Sequence, residues 1–200
     1  MGNLFTEQLM KICEKGDANY ALSLIDKGAD VNARDSNAFT PLMLACKYGF
    51  TDMARLLIDH GADVNVMDTP GNTPLMLACW NNHPGVIRLL TARGADVNVK
   101  DSNGDTPILY ASKYGYIEIA KVLTDYGADI NIMDNYGNTP LMLACLQKQI
   151  GIANLLVEKG ADLTLTNNNN KTAFDIATEG RLVRVVDYMR QKGQQIRYHS

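Results

Sequence analysis

Two hundred residues, 46% of them hydrophobic and 20% charged, are enough for one or two ordinary globular domains. A net charge of −3 and an isoelectric point near 5.6 argue against a dedicated nucleic-acid binder or a protein held on an anionic membrane. No apolar run reaches the roughly 18 residues of a membrane span. The N-terminus also lacks the basic stretch, apolar stretch and cleavage site of a secretory signal, so a cytoplasmic location is expected.

In chain order, "MGNLFT" formally fits a myristoylation pattern with Gly2 as acceptor. The plainer reading makes Thr6 the cap of a helix through "TEQLMKICEKG". A period of 33 residues then governs the chain: Thr40, Thr73, Thr106, Thr139 and Thr172 recur on it. Gly28, Gly61, Gly94, Gly127 and Gly160 recur on the same period, each followed by Ala-Asp. Pro41, Pro74, Pro107 and Pro140 follow four of the threonines, an N-cap residue then a first helical residue that needs no N–H. An apolar run such as Leu75–Cys79 makes a short first helix, and Val86–Leu90 belongs to an amphipathic second helix that Gly94 ends. Turn-rich segments such as "ADVNVKDSNGD" lead into the next Thr-Pro.

Helices this short are marginal alone, since isolated helices below ~12–15 residues do not persist in water. Each unit must therefore bury its apolar side against its neighbours. The expected architecture is an all-α repeat solenoid of about six stacked helix-turn-helix-hairpin units in one domain, 1–200. It divides into an N-terminal cap repeat (1–34), internal repeats (35–67, 68–100, 101–133, 134–166), a C-terminal cap repeat (167–190) and a polar tail (191–200). The ends carry solubilising changes: Glu7 replaces the capping threonine, Lys11 an apolar residue, and Asp175 a Met or Leu.

Units such as "GNTPLMLACWNNHPGVIRLLTARGADVNVKD" resemble ankyrin repeats, and the resemblance covers about residues 4–190. It implies a non-catalytic recognition scaffold that binds partners through its hairpin tips and the concave face of its first helices. Met43, Met76, Leu109 and Met142 stand where the family usually has His, exchanging a side-chain hydrogen bond for apolar filling. Ala38 replaces the usual turn glycine, which predicts a strain of about 1 kcal/mol or a different hairpin. "NNHPG" places Pro84 in the first turn of a second helix, and in "LQKQIG" Lys148 falls where glycine is preferred.

Cys13, Cys46, Cys79 and Cys145 are spaced 33, 33 and 66 residues apart, with Ser112 and Thr178 at the same position in other units. They read as a stacked column of small residues. Stacked helices lie about 8–10 Å apart, beyond the roughly 7 Å Cα limit of a disulfide. The histidines, His60, His83 and His199, are dispersed, and no catalytic triad, phosphate loop, metal site or cofactor is implied. Asp30, Asp63, Asp96, Asp129 and Asp162 read as turn residues that satisfy backbone N–H groups. Asn32, Asn65, Asn98 and Asn131 resemble ankyrin asparagines that animal cells hydroxylate; their plainer role is to brace the hairpins.

Positions that repeat build the scaffold, and positions that vary on the first-helix side are free to carry specificity. The varied rows supply the candidate partner-binding residues: Phe39, Lys47, Tyr48, Asn72, Trp80, Asn81, Lys113, Tyr114, Asn138, Leu146 and Gln147, with Met67, Met133 and Tyr136 at hairpin tips. The rows would put Phe39, Tyr48, Trp80, Tyr114, Tyr136 and Leu146 on one surface, an interface-like composition. Lys47 and Lys113 beside it suggest a partner segment with a carboxylate next to an apolar residue. The expected function is thus a monomeric adaptor or stoichiometric inhibitor that binds another protein, with no nucleic acid and no membrane. The alternatives are a structural spacer or assembly subunit that uses its convex face or edges and, last, an enzyme with a cryptic site in the groove.

Overall fold

The computed structural model describes residues 4–197, with side chains through residue 192. Gly2 and His199, singled out in the sequence, lie outside the described residues. The chain forms two compact units, Met1–Ser102 and Asn103–Ser200. In the first unit the helices are α1 (Leu4–Cys13), α2 (Ala18–Asp26), α3 (Pro41–Tyr48), α4 (Thr51–Asp59), α5 (Pro74–Trp80) and α6 (Pro84–Ala92). In the second they are α7 (Pro107–Tyr114), α8 (Ile117–Asp125), α9 (Pro140–Leu146), α10 (Ile150–Glu158), α11 (Ala173–Glu179) and α12 (Val183–Arg197). Residues 191–197 of the expected polar tail thus continue the last helix.

Within each unit, first helices pack on first helices and second on second: α1 on α3 on α5 and α2 on α4 on α6, then α7 on α9 on α11 and α8 on α10 on α12. This is the all-α repeat solenoid that the periodicity predicts. The first-helix interiors are mostly apolar, with the buried Ser112 hydroxyl of α7 as a polar exception. Leu42, Met43, Ala45, Leu75, Met76, Ala78, Leu141 and Ala144 are all buried. The methionines at the atypical third helical position fill the core, and Met142 also accepts the Thr139 amide on its sulfur at 3.4 Å.

The threonine caps form as their spacing predicts at four sites. Oγ1 of Thr40, Thr73, Thr139 and Thr172 accepts from the amides of Met43, Met76, Met142 and Asp175 at 3.1–3.3 Å. Thr106 is an exception: its buried hydroxyl makes no cap bond. Asp175 completes a capping box by accepting the Thr172 amide, 2.9 Å, which explains the carboxylate at the terminal repeat. Thr6 departs from its expected role. Helix α1 starts two residues earlier, at Leu4, and the Thr6 hydroxyl instead accepts the Asp30 amide at 3.0 Å.

Two columns of loop residues sit in the left-handed region. The inter-helix column has φ +78 at Gly49 and +82 at Gly115, but also +57 at Lys148 and +58 at Arg181. The hairpin column runs from Ala38 at +64 through Gly71 at +87 to Asn170 at +57. Both non-glycine anomalies read from the sequence therefore keep the left-handed backbone of the glycines in their columns and carry its strain, since an L side chain is disfavoured there by roughly 1–2 kcal/mol. Ala38→Gly and Lys148→Gly are each expected to stabilise the chain by about 0.5–1 kcal/mol, and Gly71→Ala to destabilise it, in equilibrium urea unfolding.

Candidate protein-binding surface

The hairpins are built by short carboxylates and amides, as the aspartate spacing predicts. Asp30, Asp63, Asp96 and Asp129 each accept the amide two residues on, from Asn32, Asn65, Asn98 and Asn131, at 2.8–2.9 Å. The asparagines do more than brace their own turn. Asn32 accepts the Asp63 amide and donates to the Gly61 carbonyl, both at 2.9 Å. Asn65 does the same with Asp96 at 2.9 Å and Gly94 at 3.2 Å. In the second unit Asn131 accepts the Asp162 amide at 2.9 Å. Each side chain clips one hairpin to the next. Thr6 serves as that clip at Asp30, a role its sequence position does not reveal. Beyond Asp162 stands Thr164, whose amide and hydroxyl both bond back to the Asp162 carboxylate. Those bonds hold that carboxyl below the usual carboxylate range.

At the base of the hairpins, Asn72 and Asn138 are buried, 5% and 8% exposed. Asn72 donates its amide and its Nδ2 to the two oxygens of Asp68, at 2.7 and 2.9 Å. Asn138 does likewise with Asp134, and its Oδ1 accepts from Asn167 Nδ2 at 2.9 Å. Both side chains are held inside the fold by these bonds and offer little surface to a partner.

In the first unit, half-buried Phe39 and Trp80 pack together on a cluster of Met43, Val66 and Leu77. Trp80 is thus part wall and part surface. Lys47 Nζ lies 5.9 Å from the Phe39 ring centre and 5.4 Å from that of exposed Tyr48, within cation–π range. Tyr48 in turn lies 6.2 Å from Phe50. Met67 is exposed at its tip while its carbonyl accepts from Arg34 Nη1. Asn81, exposed at the end of α5, donates its side chain to the Leu77 carbonyl.

In the second unit, Lys113 Nζ sits 5.7 Å over exposed Tyr114, which stacks on Tyr116 at 5.9 Å. Tyr136 and Leu146 line one groove of about 580 Å³ and Tyr136 and Lys113 another of about 330 Å³. Tyr136 is 74% exposed and Leu146 about half exposed. Gln147 is exposed just past α9, and Met133 is half-buried.

Two features escape sequence reasoning. A groove of about 880 Å³ opens at the N-terminal cap, between Glu7 and Met10 of α1 with Glu14 just past it, and Arg34 and Asp35 of the hairpin. Nothing in the cap's polar composition marks it. Exposed Ile117, Ile150 and Val183 also start the second helices of the second unit. Their common 33-residue spacing was the available signal, because the first unit has Ala18, Thr51 and Pro84 there.

The four cysteines are buried free thiols. Burial pushes Cys13 and Cys145 up to about 12, with the Glu14 carboxylate adding at Cys13, and pushes Cys46 and Cys79 up as well. A thiol is reactive only as thiolate, so these side chains are packing. Among the described residues, no three His, Cys, Asp or Glu side chains come together to hold a metal ion, and no helix is long and apolar enough to cross a membrane.

Short paired helices, left-handed loop glycines and clipped hairpins define an α-helical repeat protein. The family described as "Ankyrin repeats (3 copies)" matches residues 9–101 and 94–167, and the chain belongs to it. Ankyrin repeats are generally protein–protein interaction modules, typically non-catalytic. No individual curated protein matches the chain. Thiol labelling by Ellman's reagent at pH 8 is expected to follow unfolding, with little native-state reaction at any of the four cysteines. Fast stoichiometric labelling of the folded protein contradicts the packing role.

Proposed function

We propose that this chain is a non-catalytic adaptor or stoichiometric inhibitor that binds another protein through its first-helix face and hairpin tips, the face that is concave in the family. The observation that carries this reading is the set of exposed large side chains on those rows, Tyr48, Met67, Tyr114, Tyr136 and Leu146. Lys47 and Lys113 lie over neighbouring rings. Aromatic anchors with few charges among them are the usual hot-spot composition. The two lysines favour a partner segment that places a carboxylate beside an apolar side chain. Phe39, Trp80, Asn81, Met133 and Gln147 would complete the contacts. Four unpaired buried thiols fit the reducing cytoplasm, and we place the protein there as a monomer with neither nucleic acid nor membrane as ligand.

The assembly-subunit reading also has an observation in its favour, the exposed Ile117, Ile150 and Val183 on second helices. Affinity capture followed by calorimetry on the captured partner separates the two. Tyr48→Ala and Tyr114→Ala are each expected to weaken binding about tenfold or more, roughly 1.4 kcal/mol. Trp80→Ala is less clean, because it also removes packing on Met43 and Leu77. Affinity unchanged in both tyrosine variants, but lost in Ile150→Glu, would assign the binding to the second helices.

A further inference from the structure

In the second unit the second helices α8, α10 and α12 stack on one another and begin with Ile117, Ile150 and Val183. Those side chains are 40%, 42% and 66% exposed. The first step of the row is in contact: Ile117 Cδ1 lies 3.1 Å from where a side chain on Gly151 would begin. Ile117 thus reaches over the first turn of α10, and the glycine beside Ile150 leaves room for it. The scaffold does not require apolar residues here, because the first unit starts its second helices with Ala18, Thr51 and Pro84. One exposed aliphatic side chain is ordinary, whereas three on one row make a patch.

The charges around this row have one sign in excess. Lys148 and Arg181 stand two residues before Ile150 and Val183, Arg184 follows Val183, and Lys121 lies one turn past Ile117. All four are exposed, and none forms an ion pair among the described residues. The two carboxylates of the same first turns are already used: Asp187 meets Arg190 at 3.7 Å, and Glu118 is engaged within the fold. Free cations beside an apolar row complement an acidic occupant with apolar side chains. A second copy docked edge to edge would set these cations against their own kind. An anionic membrane fits less well, because the chain carries a net −3 and Glu118 and Asp187 would face the same surface. A separate segment can place its carboxylates at the cations alone.

We propose that the second-helix edge of the second unit binds an acidic segment of another protein. Its apolar side chains cover Ile117, Ile150 and Val183, and its carboxylates reach Lys148 and Arg181. This is a second surface, separate in residues from the first-helix face and independent of the reading given to it.

Two synthetic peptides of leucine and glutamate test it by fluorescence anisotropy against the full chain. One carries its leucines at helical spacing and the other alternates strictly, and each has a twin with lysine in place of every glutamate. At least one acidic peptide is expected to bind about tenfold or more tighter than its twin. Ile150→Ser and Val183→Ser should each weaken that binding about threefold or more, with circular dichroism checking that both variants keep the fold. The double variant Lys148→Glu, Arg181→Glu should lose about tenfold and come to prefer the lysine twin. No binding by either acidic peptide, equal affinity for the twins, or indifference to both serine variants overturns the proposal. Loss of peptide binding in Tyr48→Ala also overturns it, since the peptides would then sit on the first-helix face. So does co-sedimentation with phosphatidylserine-containing vesicles in the absence of peptide binding, which would assign the row to a membrane.

Discussion

Asparagine side chains join one hairpin to the next at Asn32, Asn65 and Asn131, and the register of those repeats depends on them. Asn65 illustrates the constraint: it fills an acceptor and a donor on the following repeat with one amide, at Asp96 and Gly94. A helix pair of about this length cannot hold itself, so burial between neighbours must supply the stability. Burial is non-directional. Hydrogen bonds from Asn32 and Asn65 give it a register, aligning first helices on first helices. Threonines vary the pattern: the Thr6 hydroxyl accepts the Asp30 amide in the way the asparagines accept theirs, and Thr164 turns back on its own hairpin.

Once the clips and the buried columns hold the stack, other positions are released from structural duty. The cysteine column is chemically silenced by its burial, and the first-helix interiors are closed to solvent. What remains free is the rim of the first helices and the hairpin tips, where Tyr48, Tyr114, Tyr136 and Leu146 stand in solvent. Exposed apolar area of this kind is what the proposed recognition role would use. The same separation explains why the chemistry of a partner is sought in charge and exposed apolar rows rather than in any catalytic group.

Much of this was legible in the sequence, because a repeat repeats its own evidence. The 33-residue spacing of Thr-Pro and Gly-Ala-Asp placed the helix pairs. Ala38 and Lys148 announced left-handed residues that the structure contains. The candidate surface was legible less evenly. Asn72 and Asn138 stand in a row that varies from repeat to repeat, yet they are consumed by Asp68 and Asp134, since an amide beside a turn carboxylate finds its partner locally. Trp80 looked like a free anchor and is half wall, because an indole large enough to bind is also large enough to cover Met43 and Leu77. The cap groove and the clip made by Thr6 arise from contacts between residues 24 positions apart, Thr6 and Asp30, which no local pattern encodes.

The central claim is that repeated side chains hold the stack while the varied, exposed ones are free for binding. Equilibrium urea unfolding of two variants beside the wild type tests it most directly. Asn65→Ala should cost about 1–2 kcal/mol, since it strands the Asp96 amide and the Gly94 carbonyl. Tyr136→Ala should stay within about 0.5 kcal/mol of wild type. An Asn65→Ala protein as stable as wild type, or a Tyr136→Ala protein destabilised by about 2 kcal/mol, would contradict the account.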